Sequence, residues 1–170
     1  LSTDQYLAYT KTVKDLAGVP DQIKVVLLLL PHTGLRISEA CNLKGCDVVD
    51  TLGAWTLHVL GKGNKPRLVP LSEDAIDLIE PYVKAAGEDD FLFENPCLGL
   101  PGSTRLELSP AQVRAVVRDQ LQTEDGLESV VPHVLRHQFA TMTVKANINV
   151  FTAMAVLGHS DLTTMQRYAH

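Results

Sequence analysis

Little in this sequence marks a secreted, membrane-spanning or metal-bound protein. Among 170 residues there are only three cysteines, Cys41, Cys46 and Cys97. An odd number without C-x-x-C spacing makes neither a disulfide framework nor a structural zinc site, so reduced and mostly buried thiols are expected. Long hydrophobic runs are missing too. The longest, residues 23–31, contains Lys24 and falls far short of the ~20 apolar residues that cross a bilayer; it predicts a buried helix. No basic segment followed by an apolar stretch and a small-residue cleavage site is found, so no secretory signal is read and a cytoplasmic location is expected. Internal repeats and low-complexity tracts are likewise absent. What is present, with 45% hydrophobic residues, suffices for one core and one compact domain.

An excess of positive charge is also lacking. The formal net charge is −5, whereas nucleic-acid binding usually leaves a basic footprint. The distribution of charge weakens that objection. Eight acids and one base, Lys84, lie between Glu73 and Glu94, and Asp119, Glu124, Asp125 and Glu128 form a second acidic group. His58 to Arg67, by contrast, holds Lys62, Lys65 and Arg67 and no acid, so one face can be positive on an acidic molecule. Composition leaves DNA binding open.

Local patterns predict a mainly helical α+β domain. Ser2 to Gln5 has the form of a capping box, and Tyr6, Leu7, Tyr9, Val13 and Leu16 recur at helical spacing. Gly18-Val19-Pro20 ends that helix; Asp21 can cap a second through Leu30, with Pro31 to Gly34 as an interruption before a third begins near Leu35. From Val48 the pattern turns to β-branched and aromatic runs: Val48-Val49, Trp55 to Leu60, Arg67 to Val69. Gly61 to Lys65 supplies the glycines and asparagine of a tight reversal. A three-stranded antiparallel sheet with Lys62 at a hairpin tip follows. Ser72, with Glu73 and Asp74 in the first turn, caps a fourth helix that Pro81 is expected to kink or end. Residues 86–108 read as a long loop. Ser109-Pro110 starts a helix to about Leu121, and further helices are expected over 132–146, 150–157 and from Leu162 onward.

Certain residues suggest chemistry. Pro132 suits the first position of a helix, which puts His133 in the first turn, where free N–H groups and the helix dipole favour an anion. Arg136 follows at i+3 on the same face, so a phosphate there could meet an imidazole and a forked guanidinium. Taken alone, this segment reads better as an ordinary exposed helix start. His133 and His137 have the spacing of helical metal ligands, but Arg136 between them would repel a divalent cation and no glutamate stands beside His133 to act as base. No metal is expected, and His137 reads as packed or hydrogen-bonded. Arg36 follows Gly34 at a helix start with Glu39 at i+3, able to hold an arginine; a surface ion pair worth little is the plainer alternative. A lone tyrosine such as Tyr168 is ordinarily a half-buried packing residue.

The combination changes the reading. Thr-Gly-Leu-Arg-Ile-Ser-Glu at 33–39, Gly-Lys-Gly-Asn-Lys-Pro-Arg-Leu-Val-Pro-Leu at 61–71, Pro-His-Val-Leu-Arg-His at 132–137 and Leu-Gly-His-Ser-Asp-Leu-Thr-Thr-Met-Gln-Arg-Tyr at 157–168 together resemble the tyrosine recombinase, or phage integrase, family. Each motif is weak by itself, but four in register span nearly the whole chain. The resemblance implies the family's catalytic-domain fold, about seven helices with a small three-stranded antiparallel sheet. It implies site-specific strand cleavage and rejoining on double-stranded DNA, with recombination or integration as the outcome. Tyr168 would be the nucleophile, and Arg36 and Arg136 would clamp the scissile phosphate. His133 would assist proton transfer, Lys62 would protonate the leaving 5′ oxygen, and His159 would hydrogen-bond the phosphate. Glu39 and His137 would support these groups from behind, and Lys65 and Arg67 would meet the DNA backbone. No metal, nucleotide or other cofactor and no membrane is implied; a homotetramer on DNA is.

Residues 1–170 are thus expected to form a catalytic domain. The helical core-binding domain and the C-terminal docking segment usual in the family are not recognised, since the chain runs only two residues past Tyr168. His32 before Thr33 and the acidic balance are further departures. Two alternatives share these features: a type IB topoisomerase, which relaxes supercoils by strand rotation, and a DNA-binding relative that has lost catalysis. The integrase-like motifs argue against the first, and the presence of all six reactive groups against the second.

Overall fold

The computed structural model describes residues 1–61, 63–94, 107–146 and 148–158. Helix α1, Thr3–Asp15, begins with the expected capping box, the Ser2 side chain accepting from the Gln5 N–H. Helix α2, Asp21–Thr33, is the centre of the molecule. It touches α1, α3, α4, α5 and α6, and Val26, Leu27, Leu29 and Leu30 are fully buried. Each such side chain contributes roughly 1.5–3 kcal/mol by leaving water, so the continuous apolar run is explained by burial on all sides.

Two expectations about α2 need correction. Pro20, not Asp21, occupies the N-cap, and the helix runs through Pro31 to Thr33 rather than stopping at Leu30. Proline lacks the N–H that would bond four residues back, which strands the Leu27 carbonyl in the core. The Tyr9 hydroxyl donates to that carbonyl at 2.7 Å, so the carbonyl that Pro31 frees is paired and the helix need not break. It ends at Gly34, whose φ of 63° is left-handed and whose N–H bonds to Leu30.

After α3, Ile37–Cys41, and a 3-10 turn at Gly45–Asp47, strands β1 (Val48–Thr51), β2 (Ala54–Leu60) and β3 (Pro66–Pro70) form an antiparallel sheet in the order β1-β2-β3. The register pairs Leu57 with Val69 and Val59 with Arg67 on one face, and His58 with Leu68 and Leu60 with Pro66 on the other. The first face is buried and the second exposed. Gly61 to Lys65 closes the β2–β3 hairpin, with Asn64 and Gly63 at positive φ; Lys62 lies outside the described residues.

Ser72 caps α4, Glu73–Ala85, which continues through Pro81. There the proline lies on the exposed side of the helix, and water can reach the carbonyl it frees. Helix α5, Pro110–Val116, starts at the expected Ser109-Pro110 signal and continues to Leu121 as a π turn. Helices α6, Pro132–Lys145, and α7, Val150–Leu157, fall close to their predicted spans, and α7 seats Ala153, Met154 and Leu157 against Ala140, Phe139 and Val144. The helix expected from Leu162 lies outside the described residues. Among those described, no helix is long and apolar enough to cross a membrane. Cys41 is buried and its thiol is pushed up to about 12 by that burial, whereas Cys46, expected inside, is exposed in the 3-10 turn; Cys97 lies outside the described residues.

Candidate active site

The ends of α2, α3, α6 and α7 meet beside β3, and the polar residues gathered there carry most of the predicted site. Arg36 occupies the residue before α3. Its backbone N–H donates to Glu39 Oε2 at 2.7 Å and its guanidinium to Oε1 at 2.8 Å. The Glu39 carboxylate therefore closes the first turn of α3 and holds the Arg36 side chain together. That side chain stays 38% exposed while Glu39 is only 7% exposed, so the guanidinium faces solvent from a buried anchor.

Arg136 enters from α6, 100 residues further on in sequence, and is 6% exposed. It donates through Nη1 to the Gly34 carbonyl at 2.6 Å and through Nη2 to the Leu157 carbonyl. Two of its five N–H donors thus bind the backbone just before Arg36 and at the end of α7. The remaining three are free of these main-chain contacts. Burial, and then the charge of Arg36, lower its pKa to about 10, which still leaves it cationic at neutral pH.

His133, in the first turn of α6, is exposed. Its ring meets that of His137 edge to face, with centroids 4.2 Å apart. His137 thus packs against His133 from the next turn of the helix. Arg36, His133 and Arg136 line one depression of about 290 Å³ together with Leu35, Ile37, Val131, Pro132 and Arg114. Arg114, on α5, was not foreseen. No motif marks it in the sequence; only the packing of α5 on α3 brings it there. Lys62, His159 and Tyr168 lie outside the described residues.

Lys65 is exposed on the hairpin, but Arg67 is not where its predicted DNA contact would need it. Its side chain is 6% exposed. It pairs with Glu39 through Nη1 at 3.0 Å and Nη2 at 2.6 Å, and its Nε donates to the Val156 carbonyl at 2.7 Å. The phase of β3 is the cause: Val69 belongs to the core, so Arg67, two residues away, must face inward as well.

Glu39 accepts four hydrogen bonds in all. Burial alone would raise its pKa, but the hydrogen bonds and charge of Arg67 and Arg36 outweigh this and hold it below the ordinary glutamate value. Three guanidiniums against one carboxylate leave a surplus of two positive charges in a molecule whose net charge is −5. The site can therefore bind an anion through Arg36 and Arg136 while the rest of the surface remains acidic.

A three-stranded antiparallel sheet among helices, with two arginines from distant segments turned to one depression beside a histidine, defines a catalytic domain of the phage integrase class. The chain belongs to the phage integrase family, whose profile matches residues 1–170. A tyrosine recombinase XerC of Staphylococcus epidermidis is 36% identical over 158 residues, which cover 90% of this chain and 50% of that protein. A tyrosine recombinase of Thermosipho africanus is 31% identical over 147 residues, 86% of this chain and 49% of the other. The solved structure of XerA recombinase superimposes with a TM-score of 0.76 at 26% identity, over all of this chain and 58% of that one. The chain spans about half the length of these curated relatives.

Proposed function

We propose that this chain is the catalytic part of a site-specific recombinase that cuts and rejoins DNA through a 3′-phosphotyrosyl intermediate. The reading rests above all on the convergence of Arg36 and Arg136 at a depression shared with His133. In the proposed step the Tyr168 oxygen attacks a DNA phosphorus, its proton passing towards His133. The bond from phosphorus to the 5′ oxygen breaks, and Lys62 supplies the proton that this oxygen takes up. Arg36, Arg136 and His159 hold the non-bridging oxygens as negative charge develops on them, which is where fixed donors accelerate phosphoryl transfer most. The tyrosyl phosphodiester retains the energy of the bond it replaces, so a 5′-hydroxyl from another strand can reverse the step without ATP.

Double-stranded DNA is the proposed partner, Lys65 beside the backbone, and a homotetramer on two DNA sites is the proposed assembly, in the cytoplasm. The reading is tested with a pool of nicked duplexes of randomised sequence, in which escape of a short 5′-hydroxyl fragment traps the protein on its DNA. After denaturation, labelled DNA should remain covalently attached to the wild type and be absent from Tyr168→Phe. An adduct formed by the Phe variant, or none formed by the wild type, would overturn the assignment.

A further inference from the structure

The proposed mechanism leaves Arg67 without a task, yet each of its three guanidinium nitrogens makes a hydrogen bond. Four residues surround it. Its two terminal nitrogens grip both oxygens of Glu39, and Glu39 in turn holds Arg36. Its Nε caps the last turn of α7 through the Val156 carbonyl, one of the helix-end carbonyls that has no partner within the helix. On either flank lies a glycine. A Cβ built at Gly61 would stand 2.9 Å from Arg67 Nη1, and one at Gly158 would stand 3.1 Å from Arg67 Cδ. The first distance is closer than packed atoms settle and the second is tighter than most such contacts, so the Arg67 side chain lies in space left open by the missing side chains of these two residues.

The sequence gives these neighbours their meaning. Gly61 is the residue before Lys62, Gly158 the residue before His159, and Glu39 the anchor of Arg36. We propose that Arg67 is a positioning residue that sets, against one rigid guanidinium, the backbone leading to Lys62, the backbone leading to His159, and the side chain of Arg36. The inference rests on the recombinase reading and deepens it. Arg67 touches no phosphate in this scheme. It fixes where three groups that do so begin, and a misplacement of about 1 Å at such groups costs on the order of 100-fold in rate. Lysine cannot substitute, because a point charge has neither the fork that spans a carboxylate nor the Nε donor.

The experiment compares single-turnover adduct formation and DNA affinity for the full chain, on a nicked duplex selected with the wild type, and for three variants. Arg67→Lys should lose about 100-fold in cleavage rate while its Kd for the duplex stays within a few-fold. Gly61→Ala removes no charge and crowds Arg67 from the hairpin side; it should show the same split between rate and affinity, with a melting temperature close to wild type. Arg67→Met adds a pH readout. Glu39 faces Arg36 from its own helix, Arg67 from β3 and Arg136 from α6, and without Arg67 it loses its largest stabilising partner. Its protonation should then move upward, and the acid limb of the cleavage profile should shift towards neutral pH, a change that lost stability does not produce. Wild-type rates in both Arg67→Lys and Gly61→Ala would overturn the proposal, as would rate losses matched by equal losses of affinity. A wild type that forms no adduct fails the recombinase reading itself, and is distinguishable from either result.

Discussion

Two regions of this domain are equally dry and held by opposite physics. Around α2, Leu27, Leu29 and Leu30 lie at zero exposure among other aliphatic side chains, and their stability comes from area removed from water, indifferent to pH and salt. At the far end of that helix, Glu39, Arg67 and Arg136 from three separate segments are almost as deeply buried, but each is tolerable there only because a specific partner meets it. The first region is redundant, since apolar side chains of similar volume can replace one another there. The second has no redundancy. A charge buried without its counter-charge is worse than an apolar residue in the same place, so the polar node fails as a unit where the apolar core fails by degrees.

The comparison can be broken most forcefully at Glu39. Glu39→Gln leaves two buried or half-buried guanidiniums facing a neutral amide, and chemical denaturation at pH 7 should register a loss of about 3–5 kcal/mol. The same site gives a pH signature. Glu39 has a folded pKa below its ordinary value, so its contribution is present above the unfolded value and vanishes as pH falls through the folded one. That acid loss should be missing from the Gln variant; a parallel pH dependence in both proteins would place the titrating group elsewhere. In the apolar region Leu29→Ala should cost about 2–5 kcal/mol, the same at pH 5 as at pH 8. A smaller effect separates the two regimes within the core itself. Tyr9→Phe removes only an oxygen, but it orphans the Leu27 carbonyl beneath Pro31, and a loss of about 1–3 kcal/mol is expected. If equilibrium unfolding finds Tyr9→Phe neutral, the carbonyl has found another donor and the explanation of the unbroken helix is wrong.

What the sequence made legible follows the same division. Local signals read well: the Ser2 capping box, the Ser109-Pro110 start, the Gly61 to Lys65 reversal and the span of α7 are all set by residues within a few positions of one another. The turn between β1 and β2 carries the weaker local signal, because Leu52 occupies a position with φ of 54°, where Asn or Asp is the usual sign. Pro31 misled for a different reason, since the hydroxyl that compensates it comes from Tyr9, 18 residues earlier. Arg67 lies furthest from its expected place. Its charge suggested DNA, but strand phase turned it inward and its partner Glu39 stands 28 residues away. The four matching motifs named Arg36, His133 and Arg136, and the fold lines one depression with all three; that convergence, like the presence of Arg114, is a property of packing that no local pattern contains.

Gly34 concentrates these demands in one atom. It ends α2 in the left-handed conformation, lends its carbonyl to Arg136, and leaves so little room that a Cβ would lie 2.5 Å from Phe139 and 2.7 Å from Leu157. Three helices are therefore spaced by the width of a hydrogen. In the language of genetics this is the vertex where a single methyl would be felt on every side at once: alanine there would prise α6 and α7 from α2 and pull Arg36 and Arg136 apart without altering either side chain.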